Sequence, residues 1–195
     1  MRCCARADAR RRRALAALLA AALLFGLTLP AGATFAVAAV EPSVVGRTLV
    51  VSGQLELGLT PEVEEAIATG IPIELAIEFR LYRRRALLWD ERLDGWSMRR
   101  ELRYHALSGQ YLITGSLDGA ERESANSLDE ALAELGTLDQ LALPLAAPLA
   151  ADADYRLDVR VALDVEALPS LLRPVAYTSP QWKLNSGWTT WTVTP

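Results

Sequence analysis

The sequence predicts an all-β fold: an antiparallel β-sandwich with two short helices, placed behind an N-terminal signal peptide. Three observations carry that prediction. Three segments alternate apolar and polar residues with period two, the mark of strands with one buried and one wet face. Turn dipeptides punctuate the chain closely enough for hairpins. A basic and then apolar leader of the secretory kind stands in front of them.

The leader comes first. Arg2, Arg6 and the run Arg10 to Arg13 stand against a single Asp8, and an almost pure Ala/Leu stretch follows from Ala14 to Leu29. Pro30 ends it, and the small-residue triplet Ala31-Gly32-Ala33 places cleavage after Ala33, with a second site after Ala38. That spacing predicts residues 1–33 as a signal peptide and 34–195 as a single domain. An uncleaved anchor is the alternative, because the apolar run approaches the roughly 20 residues that span a bilayer. In that case the inner membrane holds the protein facing the periplasm.

Both cysteines, Cys3 and Cys4, precede the apolar run, so the remaining chain has no thiol and its domain is held by burial alone. Setting the leader aside leaves 14 basic against 23 acidic residues, a net charge of −9. With Lys183 as its one lysine, this acidic domain lacks the broad basic face that phosphate-backbone binding requires, so nucleic acid is excluded as a partner.

In chain order, the first alternating segment carries Leu49, Val51, Leu55, Leu57 and Leu59 on one parity. Thr60-Pro61-Glu62 then gives an N-cap, a proline at the first helical position and acidic residues where the dipole favours them, with Gly70 as the stop. The second segment sets Ile71, Ile73, Leu75, Ile77, Phe79 and Leu81 against Glu74, Glu78 and Arg80. Asp94-Gly95, taken as a two-residue turn, pairs Leu93 with Trp96, Trp89 with Arg100, and Asp90 with Arg99. Ser108-Gly109 and Asp118-Gly119 are read as further turns. Ser127-Leu128-Asp129-Glu130 is a capping box for a helix reaching about Leu135, with Gly136 as its stop. Pro144 and Pro148 mark a loop packed on the core, and Pro169, Pro174 and Pro180 interrupt the chain before the last strand. Between them the third segment runs Tyr155, Leu157, Val159, Val161, Leu163 and Val165 inward, with Arg156, Asp158, Arg160 and Asp164 outward.

Residues with catalytic potential are few. One His, at position 105, stands on a ladder with Arg99, Glu101 and Arg103, and no Gly-x-Ser-x-Gly elbow or glycine-rich phosphate loop occurs. Glu74 and Glu78 lie about 13 Å apart along a strand, too far for a glycosidase pair, while Asp164 and Glu166 would fall near 7 Å. Their interleaving with Arg156 and Arg160 fits a solvated strand face. The expectation is a non-catalytic protein with no cofactor and no metal.

Two clusters are the candidate binding residues. Arg83, Arg84 and Arg85 concentrate positive charge in an acidic domain, suited to anionic lipid headgroups or an acidic partner, or to neutralisation by neighbouring carboxylates. Trp188 and Trp191 are three apart, so a regular strand turns them to opposite sides. One of them would then be poorly buried and could anchor a protein or stack on a sugar. Packing around a bulge at Gly187 is the alternative.

Four stretches resemble the uncharacterised proteobacterial secreted proteins grouped as domain of unknown function 4390. They are Thr60 to Ala66 followed by Gly70-Ile71-Pro72, the arginine-rich strand leading to Trp89-Asp90, the block Arg103 to Leu112, and the Trp-rich ending. The resemblance covers nearly all of the chain after the leader and implies an exported, mostly β protein, with no catalytic residue to carry over. Members of that family are often encoded beside a ribosomal RNA methyltransferase and a membrane sensor kinase. It therefore implies an envelope-side accessory of a membrane sensor protein, with a binding module for a small glycan or lipid as the alternative.

Overall fold

The three alternating segments become strands with the inner faces their periodicity predicts. The computed structural model describes residues 34–86, 88–115 and 122–195. The leader and the Asp118-Gly119 turn lie outside the described residues. Two antiparallel sheets form. One holds β1 (Phe35–Val45), β2 (Thr48–Leu57) and β7 (Thr137–Pro144) in the order β1-β2-β7. The other runs β6-β5-β4-β3-β8-β9, from β3 (Ile73–Arg83), β4 (Glu91–His105), β5 (Gln110–Thr114), β6 (Arg122–Ala125), β8 (Tyr155–Leu163) and β9 (Thr189–Val193).

The core lies between the sheets. Leu49, Val51 and Leu55 of β2 and Leu143 of β7 are buried with Leu75, Ile77, Phe79 and Leu81 of β3 and Leu157, Val159 and Val161 of β8. Each such side chain contributes about 1.5–3 kcal/mol on burial, which holds the domain together without a disulfide.

The smaller sheet is bent by its outer strands. Ala38 of β1 is unpaired between Val37 and Ala39, and Asp139-Gln140 of β7 stand opposite Ser52 alone, with Gln140 at φ 42°. Each bulge switches the parity of its strand, so Phe35 and Val37 are buried before it and Val40 after it. Leu138 and Leu143 straddle the other in the same way. This is why the Pro144 stretch, expected as a loop, is in part the strand β7.

The larger sheet corrects a second expectation. Asp94-Gly95 is not a turn. The connection between β3 and β4 is residues 84–90, and β4 continues through Gly95, which stands opposite Arg80. Leu93 is bulged out between Arg92, opposite Tyr82, and Asp94, opposite Leu81. A glycine inside a strand often marks such a bulge, and here the Arg92 guanidinium lies over Gly95. Trp89, Asp90 and Arg99 therefore lose the partners expected of them. The Ser108-Gly109 turn forms as expected, with Gly109 at φ 67°.

Among the described residues there are three helices where two were expected. In α1 (Pro61–Ala68) the Thr60 hydroxyl accepts from the Val63 N–H at 3.3 Å and donates to the Gln181 carbonyl at 3.0 Å, so one buried side chain caps the helix and ties it to the 3-10 turn Pro180–Trp182. Thr60→Ala is expected to cost about 1–2 kcal/mol, readable as a lower urea midpoint with unchanged slope. In α2 (Leu128–Gly136) Ser127 caps Glu130 at 3.2 Å, while the Glu130 carboxylate accepts from Asn126, one residue before the N-cap. The unexpected α3 (Arg173–Thr178) places Pro174 in its first turn, where the missing N–H costs nothing.

Candidate functional site

The exposed large apolar side chains sit on connections at the two ends of the strands. Thr34 accepts from the Gly58 N–H at 3.1 Å, close to α1, and this entry end also carries the exposed Leu107, Leu171, Val175 and Tyr177. At the far end, about 30 Å away along an eleven-residue strand, Val45, Leu88 and Trp89 are exposed, Trp89 at 92%.

The far end is built on the 84–90 connection. Its base is tied down at several points. The Arg84 N–H donates to the Asp154 carbonyl at 2.8 Å, and the Arg85 guanidinium is paired with Glu91. Asp90 accepts from the Arg85 N–H at 3.4 Å and pairs with Arg156 Nε at 3.0 Å. Asp94 accepts from the Ala146 N–H at 3.1 Å, which holds the following loop against β4. These ties fix the two ends of the connection and leave Leu88 and Trp89 in solvent beside the exposed Arg83, Arg84 and Arg85. A shallow open groove runs along the same residues, with Asp152 and Asp154 on its other side.

The structure therefore brings the predicted arginines together with Trp89 and not with the predicted tryptophans. Trp188 and Trp191 do point to opposite sides, but both are half-buried. The Trp188 ring lies under the Arg80 guanidinium at 3.9 Å and the Arg160 guanidinium at 4.8 Å, and both cations pair with Glu78. Trp191, opposite Leu157, packs against the core. These two rings hold the carboxyl-terminal strand onto the larger sheet. Trp89 and Arg92 were missed because the assumed Asp94-Gly95 turn placed both in a hairpin. The signal was the Ala-Leu-Leu-Trp run directly after three arginines, an apolar stretch whose nearest turn is its own.

The groups weighed for catalysis have structural roles. His105 Nδ1 lies 3.0 Å from the Ser108 hydroxyl, closing its own hairpin. Asp164 is beyond the end of β8, where it caps the Glu166 N–H at 2.9 Å and pairs with Arg99 at 3.7 Å, so the strand-face spacing expected of Asp164 and Glu166 does not apply. Arg99 also pairs with Glu74 at 3.2 Å. Glu166 accepts from the Tyr177 hydroxyl at 3.3 Å, and partial desolvation together with that carboxylate raises the phenol's pKa. Among the described residues no group of His, Cys, Asp and Glu has metal-binding geometry, and no helix is long and apolar enough to cross a membrane.

Comparison with known proteins gives one match. The profile of the family described as Domain of unknown function (DUF4390) matches residues 32–192. No curated protein and no solved structure matches the chain.

Proposed function

Because the chain belongs to the DUF4390 family, whose function is unassigned, we propose a role argued from its own surface: an exported, non-catalytic interaction module of the cell envelope that contacts a protein partner through the 84–90 connection. The observation that carries this reading is the indole of Trp89, 92% exposed at the end of a connection whose base is fixed by ion pairs. A large aromatic side chain held in solvent has no stabilising role in the free domain, and tryptophan and arginine are the side chains that most often dominate protein interfaces. The basic, apolar leader supports export, with the domain in the periplasm, released or held at the inner membrane. The envelope-side part of a membrane sensor protein is the first candidate partner.

The test is crosslinking in intact cells, recovery of the protein, and mass spectrometry of its amino terminus and its neighbours. The expected result is a terminus following Ala33 or Ala38, or an intact leader at the inner membrane, together with a reproducible envelope protein neighbour. Trp89→Ala should reduce recovery of that neighbour at least tenfold, equivalent to about 1.4 kcal/mol or more. Recovery unchanged by Trp89→Ala would remove the 84–90 connection from the interface. The groove beside Arg83 to Arg85 favours a second reading, a site for a small glycan or lipid. A thermal shift with cell-wall fragments or phospholipids would support that reading, and partner docking alone predicts none.

A further inference from the structure

Resting on the interaction reading, we propose that the partner presents an apolar pocket rimmed with carboxylates, into which Leu88 and Trp89 insert while Arg83 and Arg84 meet the rim. The charge pattern of the domain carries this. Most of its described arginines are engaged: Arg80, Arg85, Arg99, Arg103, Arg156 and Arg160 pair with carboxylates. Arg47, Arg100 and Arg173 donate to backbone carbonyls. Among the basic residues whose side chains are described, those left without a side-chain ion pair or hydrogen bond are Arg83, Arg84, Arg92 and Lys183.

Two of those four, Arg83 and Arg84, flank the exposed Leu88 and Trp89. Strand register sets Arg92 opposite Tyr82, with its guanidinium directed along β4 over Gly95. The carboxylates nearest in sequence are already occupied: Glu91 by Arg85, Asp90 by Arg156, and Asp94 by the Ala146 N–H. Asp152 and Asp154 border the groove, yet neither comes within ion-pair distance of Arg83 or Arg84. In a domain so rich in acidic groups, two unpaired guanidiniums beside an exposed indole are complementary to an acidic surface with an apolar centre. Guanidinium suits that setting, because it is weakly hydrated and pairs with carboxylate through a planar fork.

The same charges decide between a protein pocket and an anionic bilayer. A bilayer is broad and flat, so it would meet Asp152 and Asp154 along with Arg83 and Arg84, and these carboxylates weaken its attraction. A pocket meets the connection alone and experiences only its local charge.

The test places p-benzoylphenylalanine at position 88 of the full chain in living cells, keeping Trp89, with parallel reporters at positions 107 and 171 of the opposite end. After irradiation, the position-88 reporter should capture one discrete protein, through a peptide whose surroundings are rich in Asp and Glu. The double variant Arg83→Glu, Arg84→Glu should lower that adduct at least tenfold. The double lysine variant, which keeps the charge, should keep the adduct within a few-fold. Both side chains are exposed and unpartnered, so an unchanged thermal midpoint is expected and confirms folding. A phospholipid adduct, a protein adduct indifferent to charge reversal, or capture through a carboxylate-poor peptide would overturn the proposal. Capture only at positions 107 or 171 would overturn it while keeping the interaction reading, and silence at all three positions would remove both.

Discussion

Arg100→Met is expected to destabilise the protein by about 2–3 kcal/mol, the scale of charge-assisted hydrogen bonds lost at a half-buried site. Arg100 is on the inward-facing parity of β4, between the buried Met98 and Leu102. Its guanidinium leaves the core at the edge and donates through Nη1 to the carbonyls of Glu134, Leu135 and Thr137, at 3.1, 2.9 and 2.7 Å. Those are carbonyls at the carboxyl end of α2, which has no basic residue of its own in its last turn. A cation there meets the negative end of the helix dipole and satisfies acceptors that the helix cannot. It also joins the larger sheet to the point where the chain enters the smaller one. Methionine fills the volume and removes every donor, so the expected signature is a lower urea midpoint with little change in slope. Arg100→Lys should fall between, because an ammonium also carries donors for these carbonyls but sits on a shorter stem. A midpoint within about 0.5 kcal/mol of the parent for the methionine variant would show that the carbonyls are satisfied by water.

The second large effect is expected a few residues away, at Gly136. This residue ends α2 and the next one begins β7, with no linker between them. The sequence reading gives Gly136 the usual task of a helix stop, a left-handed residue after the last turn. The structure gives it a different one. Its φ is ordinary, and the constraint is the Leu55 carbonyl of β2, against which an added Cβ would collide. Gln54 braces the same junction: its amide donates to the Ala133 carbonyl at 3.3 Å and accepts from the Thr137 hydroxyl at 3.2 Å. The two accounts predict opposite signs. Helix propensity alone makes alanine better than glycine by about 0.8–1 kcal/mol, whereas overpacking against backbone costs about 1–3 kcal/mol. We expect Gly136→Ala to lower stability by about 1 kcal/mol net, measured by the same denaturation. A more stable variant would show that β2 moves aside freely. Since Gly136 and Arg100 act on one junction, the double variant should lose less than the sum of the two.

What could be read in advance follows from where regular periodicity survives. β3 and β8 lie inside the larger sheet, and β2 is the middle strand of the smaller one. Each has neighbours on both sides and an unbroken alternation, so residues such as Leu75, Ile77, Val159 and Leu55 identify themselves as core. The helix caps at Thr60 and Ser127 were legible for a similar reason, since a capping hydroxyl acts within three residues of itself. β1 and β7 were not, because bulges at Ala38 and Asp139-Gln140 switch their parity partway along. At the candidate site the arginines were visible as a run. Their association with Trp89 depended on which residues form the turn, and an Asp-Gly pair inside a bulged strand was taken for one.

The sequence by itself determined the fold class, two capped helices, the family, and an acidic, cysteine-free domain behind a basic, apolar leader. Those properties rest on composition and on interactions a few residues long. Only the tertiary structure decided which charges remain unpaired and which aromatic side chain stands in solvent. Arg80 and Arg160 are spent on Glu78 and the Trp188 ring, and Arg100 on three carbonyls more than thirty residues away, because strand register and sheet packing bring those groups together. Arg84 and Trp89 remain available because the same register ends at Arg83 opposite Glu91 and leaves them on the connection beyond it, beside the exposed Arg83.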